Sequence, residues 1–238
     1  MGTSTDRTGG TGGAWTPLKH AATSLMRAAD TGQRSPTTLR RLLSRHVPVL
    51  GGAAGAVAGA RAGRVGAQRL GAVLAGIATD GLGTALAGQG LGDLLGADRL
   101  AVLDALAGYV AGDGADIDGQ AARDAMFDVL AELFPDADSW ADLDAVRLDA
   151  DGVRDMLELF LARYVYNRIP VIAERLARLE DPVKAQRAEE DLQRMVRSFV
   201  HLRLPADALE VDWSGAPGRT IIDDSLRAVY DALSVLED

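Results

Sequence analysis

The sequence predicts an all-α protein, a multi-helix bundle preceded by a disordered glycine-rich tail. Apolar residues recur at helical spacing through the second half of the chain, and no stretch alternates with β-branched residues as a strand would. Aromatic residues make up only 5% of the 238 residues, so Ala, Leu, Val and Gly carry most of the apolar content. Small contact residues suit helices packed at short distance better than a sheet sandwich does.

Three regions follow from a pass along the chain. Residues 1–14 hold Gly, Thr and Ser without a buried-face pattern. Such a segment buries too little surface to offset its ordering entropy, and is expected to be a mobile tail ending at Trp15-Thr16-Pro17. Residues 15–97 form a basic, then Gly/Ala-rich, helical segment. A first short helix is expected over about 18–29. Ser35-Pro36 reads as an N-cap followed by proline at the first helical position, opening a basic helix that runs to Arg45. Gly51, Gly55, Gly59 and Gly63 recur every four residues, which would put them on one helical face where another helix can approach closely. Glycine also weakens a helix by roughly 1 kcal/mol per residue relative to alanine. The stretch 47–92 is therefore either loosely ordered alone or packed as a simple hairpin, and both readings stand.

Residues 98–238 form an acidic helical domain. Leu100, Leu103, Leu106 and Val110 make one expected stripe, and Ala122, Met126, Val129 and Leu133 another. Val153, Met156, Phe160, Tyr164 and Ile169 continue a long helix that Pro170 should break. Asp181-Pro182 restarts one with Leu192, Met195, Phe199 and Leu202 inside, and the last helix uses Ile222, Leu226, Val229, Leu233 and Leu236.

Charge divides the chain unevenly. The net charge is −9, yet residues 1–70 carry ten Lys or Arg against Asp6 and Asp30, a net of +8, while the remainder carries −17. Nucleic acid is one partner that fits a basic front. Its phosphates would meet Arg40, Arg41, Arg45, Arg61, Arg64 and Arg69 within the segment 34–69. Docking of basic helices on acidic ones within the chain is the other reading of the same charges. Arg40-Arg41-Leu42-Leu43 and the uncharged run after it have the look of a twin-arginine export signal. The motif lies far from the N-terminus, however, and His46 and Pro48 interrupt it. The run is too short to span a bilayer, so no membrane association is expected and the cytoplasm is the expected location.

Several chemistries are missing. With no cysteine, disulfides and thiolate sites are excluded. The two lysines, Lys19 and Lys184, follow no glycine, which removes a phosphate-loop nucleotidase. Gly81-Leu82-Gly83 and Gly88-Gln89-Gly90 lack a preceding strand, and no Gly-x-Ser-x-Gly elbow occurs. His20, His46 and His201 stand alone and read as surface or capping residues, so no metal is expected. Asp113, Asp116 and Asp118, and likewise Asp149 and Asp151, miss the register of a calcium loop and read as caps at helix starts. Asp223-Asp224 reads as a solvated helix start. No catalysis and no cofactor are expected.

The beginning of the chain remains distinctive. Gly2 follows the initiator Met, and removal of so small a residue's Met leaves a glycine amine whose unperturbed pKa is about 7.7–8.0. Asp6 stands where a myristoylation pattern wants Ser or Thr. The opening Met1-Gly2-Thr3-Ser4, the glycine-rich tail and Trp15-Thr16-Pro17 resemble the QatB family of Qat anti-phage defence systems. So do the basic Gly/Ala-rich segment near 51–76, the helix containing Ala122-Arg123-Asp124-Ala125-Met126 and the helix Leu157–Ile169. Beyond about residue 199 the chain matches only as a generic helix. The resemblance implies a component without an enzyme signature, encoded with a QatA-like ATPase, a QueC-like enzyme (QatC) and a TatD-like nuclease (QatD). QueC-like enzymes activate a deazaguanine carboxylate with ATP and join it to an amine. The resemblance, together with the free amine, implies that Gly2 is modified, with Thr3 and Ser4 recognised beside it.

Overall fold

The computed structural model describes residues 12–33, 35–202 and 208–236. Among them are twelve α-helices and no strand, in keeping with the all-α expectation. In chain order the first six are α1 (Gly12–Asp30), α2 (Pro36–His46), α3 (Gly52–Gly59), α4 (Arg61–Asp80), α5 (Leu82–Gly88) and α6 (Arg99–Ala111). The rest are α7 (Ile117–Leu133), α8 (Trp140–Asp144), α9 (Ala150–Asn167), α10 (Pro170–Leu176), α11 (Pro182–Arg197) and α12 (Ala216–Ser234). No described helix is long and apolar enough to cross a membrane.

The helices gather into two compact units. One takes the described residues up to Gly59, then Ile169–Met195, then those from Val229 on; the other takes Ala60–Arg168 and Val196–Ala228. The step from basic to acidic sequence after residue 70 falls inside the second unit.

In the first unit α1 packs on α2 and α10. Its Leu18, Ala21, Ala22 and Leu25 are buried, one turn after another on a single face. The helix begins at Gly12, earlier than the expected start near Leu18, so residues 12–14 of the expected tail are helical; residues 1–11 lie outside the described ones. Pro17 sits inside α1 because its missing N–H costs only the bond to Gly13, in the opening turns. Ser35 caps α2 as expected, its hydroxyl oxygen accepting the Thr38 N–H at 3.3 Å. Leu39, Leu42 and Leu43 face inward and Arg40, Arg41 and Arg45 outward. Of the two readings of His46, surface or capping residue, the first does not hold: it is only 2% exposed and stands in the last turn of α2.

The four-residue glycine repeat does not form one helical face. Gly51, at φ +87°, is left-handed and ends the 3-10 turn Val47–Leu50 by donating its N–H to the Pro48 carbonyl at 3.1 Å. Gly55 and Gly59 lie in α3, and Ala60 breaks the helix before Gly63 enters α4.

The second unit is built around α4, which packs on α5, α6, α7 and α9, while α7 and α9 pack on each other. α4 buries Leu70, Val73, Leu74 and Ile77, each worth roughly 1.5–3 kcal/mol against full exposure. Its close approaches come through Gly63, Gly66 and Gly71, which face Tyr164, Phe160 and Trp213. The expected stripe of α6 is displaced: Val102, Leu106, Ala107 and Val110 are buried, whereas Leu100, in the first turn, is 70% exposed. The stripe of α7 is the expected one. α9 ends at Asn167 and Pro170 opens a new helix, as proline demands. In α11 and the segment after it Val196 and Val200 are buried with Leu192, while Met195 and Phe199 are half-buried.

Asp116 and Asp149 cap α7 and α9 by accepting N–H groups from Gly119 and Gly152. Ser139 and Asp142 form a reciprocal capping box at α8. The Ser139 hydroxyl, then the N–H groups of Asp138 and Ser139, hold the Asp142 carboxyl below its ordinary range. A depressed folded value means that its support of α8 is complete above the unfolded value of about 3.9 and is lost as pH falls through the lower folded value. A carboxyl-carbon NMR titration should place Asp142 below a free aspartate, and Ser139→Ala should move it back up.

Candidate functional site

Alternation of leucine and arginine along α2 decides what that helix presents. With Leu39, Leu42 and Leu43 buried, Arg40, Arg41 and Arg45 are exposed. They line a cleft of about 610 Å³ together with Thr37, Ser44 and Pro48, and with Ser234 and Leu236 from the end of α12 and the turn after it. Ser44 donates its hydroxyl to the Arg41 carbonyl at 3.0 Å. Three of the six arginines expected to contact phosphate are thereby brought together.

The other three open α4, in the second unit, and are used differently. Arg61 is exposed. Arg64 forms an ion pair through Nε with Asp223 of α12, each side chain less than a third exposed. Asp223 is therefore not the solvated residue the sequence suggested: α12 turns it toward α4, while Asp224 pairs locally with Arg227. Arg69 donates from Nη1 to the Tyr109 carbonyl at 2.7 Å, and its guanidinium lies 5.5 Å from the Tyr109 ring centre. Arg64 thus meets a carboxylate of the same chain, whereas Arg69 meets a carbonyl and an aromatic ring. Gly2, Thr3, Ser4 and Arg34 lie outside the described residues.

A polar cluster in the second unit escaped sequence reasoning. Asp118, in the first turn of α7, accepts the Ala62 N–H at 2.7 Å on Oδ2 and the Tyr164 hydroxyl on Oδ1. Arg168 approaches Oδ1 through Nε at 3.3 Å, and its guanidinium lies 5.5 Å from the Tyr164 ring centre. Asn167 adds a bond from Nδ2 to the Ala121 carbonyl at 3.3 Å. One carboxylate thus ties the start of α4 and the end of α9 to α7. Asp116 already caps α7, so the available signal was an acid in excess of what capping needs.

A second anchor is Trp213, 2% exposed, which donates from Nε1 to the Ala208 carbonyl at 3.3 Å. Gln68 of α4 donates from Nε2 to the Trp213 carbonyl at 3.2 Å. Among the described residues no group of three or more His, Cys, Asp or Glu could hold a metal ion. The interior polar groups fasten helices, and the arginine cleft is a concave surface lined by three cationic side chains.

A family model described as Qat anti-phage system associated protein QatB matches residues 51–233. It takes in α3 to α11 and nearly all of α12, with the Asp118 cluster, the Arg64–Asp223 pair and the Trp213 anchor. No curated protein and no solved structure matches the chain. On a match that covers well over half of its length, the chain belongs to the QatB family and is a component of the Qat anti-phage system.

Proposed function

We propose that the chain is a subunit without catalysis of its own, which binds a partner ATPase through its helical body and presents the Gly2 amine to a QueC-like enzyme. The observation that carries the proposal is the division of the chain. The family match covers the helical body at 51–233, while a glycine follows the first methionine at the head of a segment poor in large side chains. The chemistry is amide formation. The enzyme activates a deazaguanine carboxylate with ATP; the neutral amine attacks the activated carbon, the activating group leaves, and the nitrogen loses a proton. With a pKa near 7.7–8.0 an N-terminal amine is partly neutral at cellular pH. Gly2 offers no side chain to obstruct that attack, and Thr3 and Ser4 are small enough to enter a narrow site behind it. The supply of ATP puts the reaction in the cytoplasm.

Deletion of residues 1–11 tests the division of labour. The shortened chain is expected to co-purify with the ATPase as the full chain does and to remain unmodified beside an active QueC-like enzyme. Loss of ATPase binding on deletion would refute the assignment of docking to the body.

A further inference from the structure

We propose that the outer face of α6 and α7 is where the ATPase docks, through a helix of its own whose apolar side is edged with Lys and Arg; this rests on the docking of the helical body argued above. The short turn 112–116 joins α6 and α7 as an antiparallel hairpin, and the two helices pack on each other. Arg123 fixes their register. It donates from Nη2 to Asp104 at 2.7 Å and from Nη1 to the Gly112 carbonyl at 3.0 Å. One turn back along α6 from Asp104 is Leu100. One turn on along α7 from Arg123 is Phe127, whose ring centre lies 5.4 Å from the guanidinium. In antiparallel helices both steps lead away from the turn, so Leu100 and Phe127 come to the same surface.

Leu100 is 70% exposed and Phe127 44%. A single exposed leucine is ordinary, but α6 has no polar side for solvent to meet. Its only charged residues are Arg99, at its start, and Asp104. A helix that is apolar on every side is normally covered on every side. Within the chain α6 buries Val102, Leu106, Ala107 and Val110, and leaves the side of Leu100 and Ala101 open. Small residues there allow a close approach: Ala101 and Ala131 are exposed, and a Cβ at Gly108 would meet nothing within 4 Å.

Charge decides what kind of helix fits. Residues 91–140 hold eleven acidic residues against Arg99 and Arg123, and no lysine. Arg123 is engaged by Asp104, whose side chain is still 72% exposed, and Asp124 and Glu132 are exposed along α7. An apolar strip inside an acidic rim favours a basic amphipathic helix and repels an acidic one.

The test measures binding of the full chain to the purified ATPase by surface plasmon resonance, at about 50 mM and about 200 mM salt, between which surface charges are progressively screened. Association is expected to slow as salt rises. Leu100→Ala should weaken binding about tenfold and Leu100→Lys about 100-fold, because lysine adds repulsion to the lost contact. Leu100→Glu should cost less than Leu100→Lys, since its charge suits a basic partner. Leu100 is exposed, so all three variants should keep the melting curve of the unchanged chain. Val65→Lys, at an exposed apolar position of α4, should leave binding as it was. Binding that Leu100→Lys leaves unchanged, or that Leu100→Lys and Leu100→Glu weaken equally, overturns the proposal while docking by the body stands. A full chain that does not bind the ATPase refutes the docking reading itself, and the proposal with it. A dimer of the chain alone, seen by sedimentation and dissociated by Leu100→Lys, would give the face to a second copy and overturn the proposal as well.

Discussion

Asp118→Ala is expected to destabilise the second unit by about 3–5 kcal/mol, the cost typical of removing one partner from a buried ion pair. The Arg168 side chain is 8% exposed and that of Asp118 18%, so water does little to replace the lost carboxylate. Three donors lose their acceptor together: the Ala62 N–H, the Tyr164 hydroxyl and the Arg168 guanidinium. Asp118→Asn keeps one oxygen and should cost about half as much, because it retains an acceptor but loses the charge. Thermal and urea unfolding followed by helical circular dichroism measure both, with the m-value checking that the unfolded reference is unchanged. A loss below about 1 kcal/mol for the alanine variant would place the cluster with ordinary surface pairs.

Gly71→Ala is expected to cost about 2 kcal/mol or more, although alanine is the better helix former by roughly 1 kcal/mol. A Cβ at Gly71 would lie 2.5 Å from Cδ2 and 2.8 Å from Cγ and Cε3 of Trp213. The indole cannot retreat. Its Nε1 is bonded to the Ala208 carbonyl, its own carbonyl accepts from Gln68, and Gly218 sits against its backbone. Gly108→Ala is the matched control, since it lies within α6 and its Cβ would meet nothing within 4 Å. That change should stabilise the protein by about 0.5–1 kcal/mol. Opposite signs from the same substitution in two helices separate close approach from helix propensity. Equal stabilisation by both would mean that the Trp213 contact is soft.

What the sequence made legible was local. Ser35-Pro36 announces α2 because cap and first helical position are neighbours in the chain. Ala122, Met126, Val129 and Leu133 announce the inner face of α7, and Pro170 breaks α9 from α10 by its own stereochemistry. Positions decided by distant partners were hidden. Arg64 and Asp223 meet across 159 residues, and Asp118 meets Tyr164 across 46, so neither pairing leaves a periodic trace. The glycine repeat misled because spacing alone does not distinguish a helical glycine from a left-handed one; Gly51 ends a turn, whereas Gly63 admits a tyrosine ring. Leu100 misled because the burial of Val102, Leu106 and Val110 sets the phase of α6 and leaves its first turn outside. The arginines were legible as charges. That three of them line a cleft along α2, and that Arg64 pairs with Asp223 and Arg69 with Tyr109, was not, because these placements depend on where α12 and Tyr109 lie.

The most direct measurement of the conjugation account is the intact mass of the full chain co-expressed with its QueC-like and ATPase partners, followed by fragmentation of the N-terminal peptide. The account predicts loss of the initiator methionine and a deazapurine-sized addition localised to the Gly2 nitrogen, absent when the QueC-like enzyme is inactive. An unmodified Gly2 beside an active enzyme, or an addition that maps elsewhere, would contradict it.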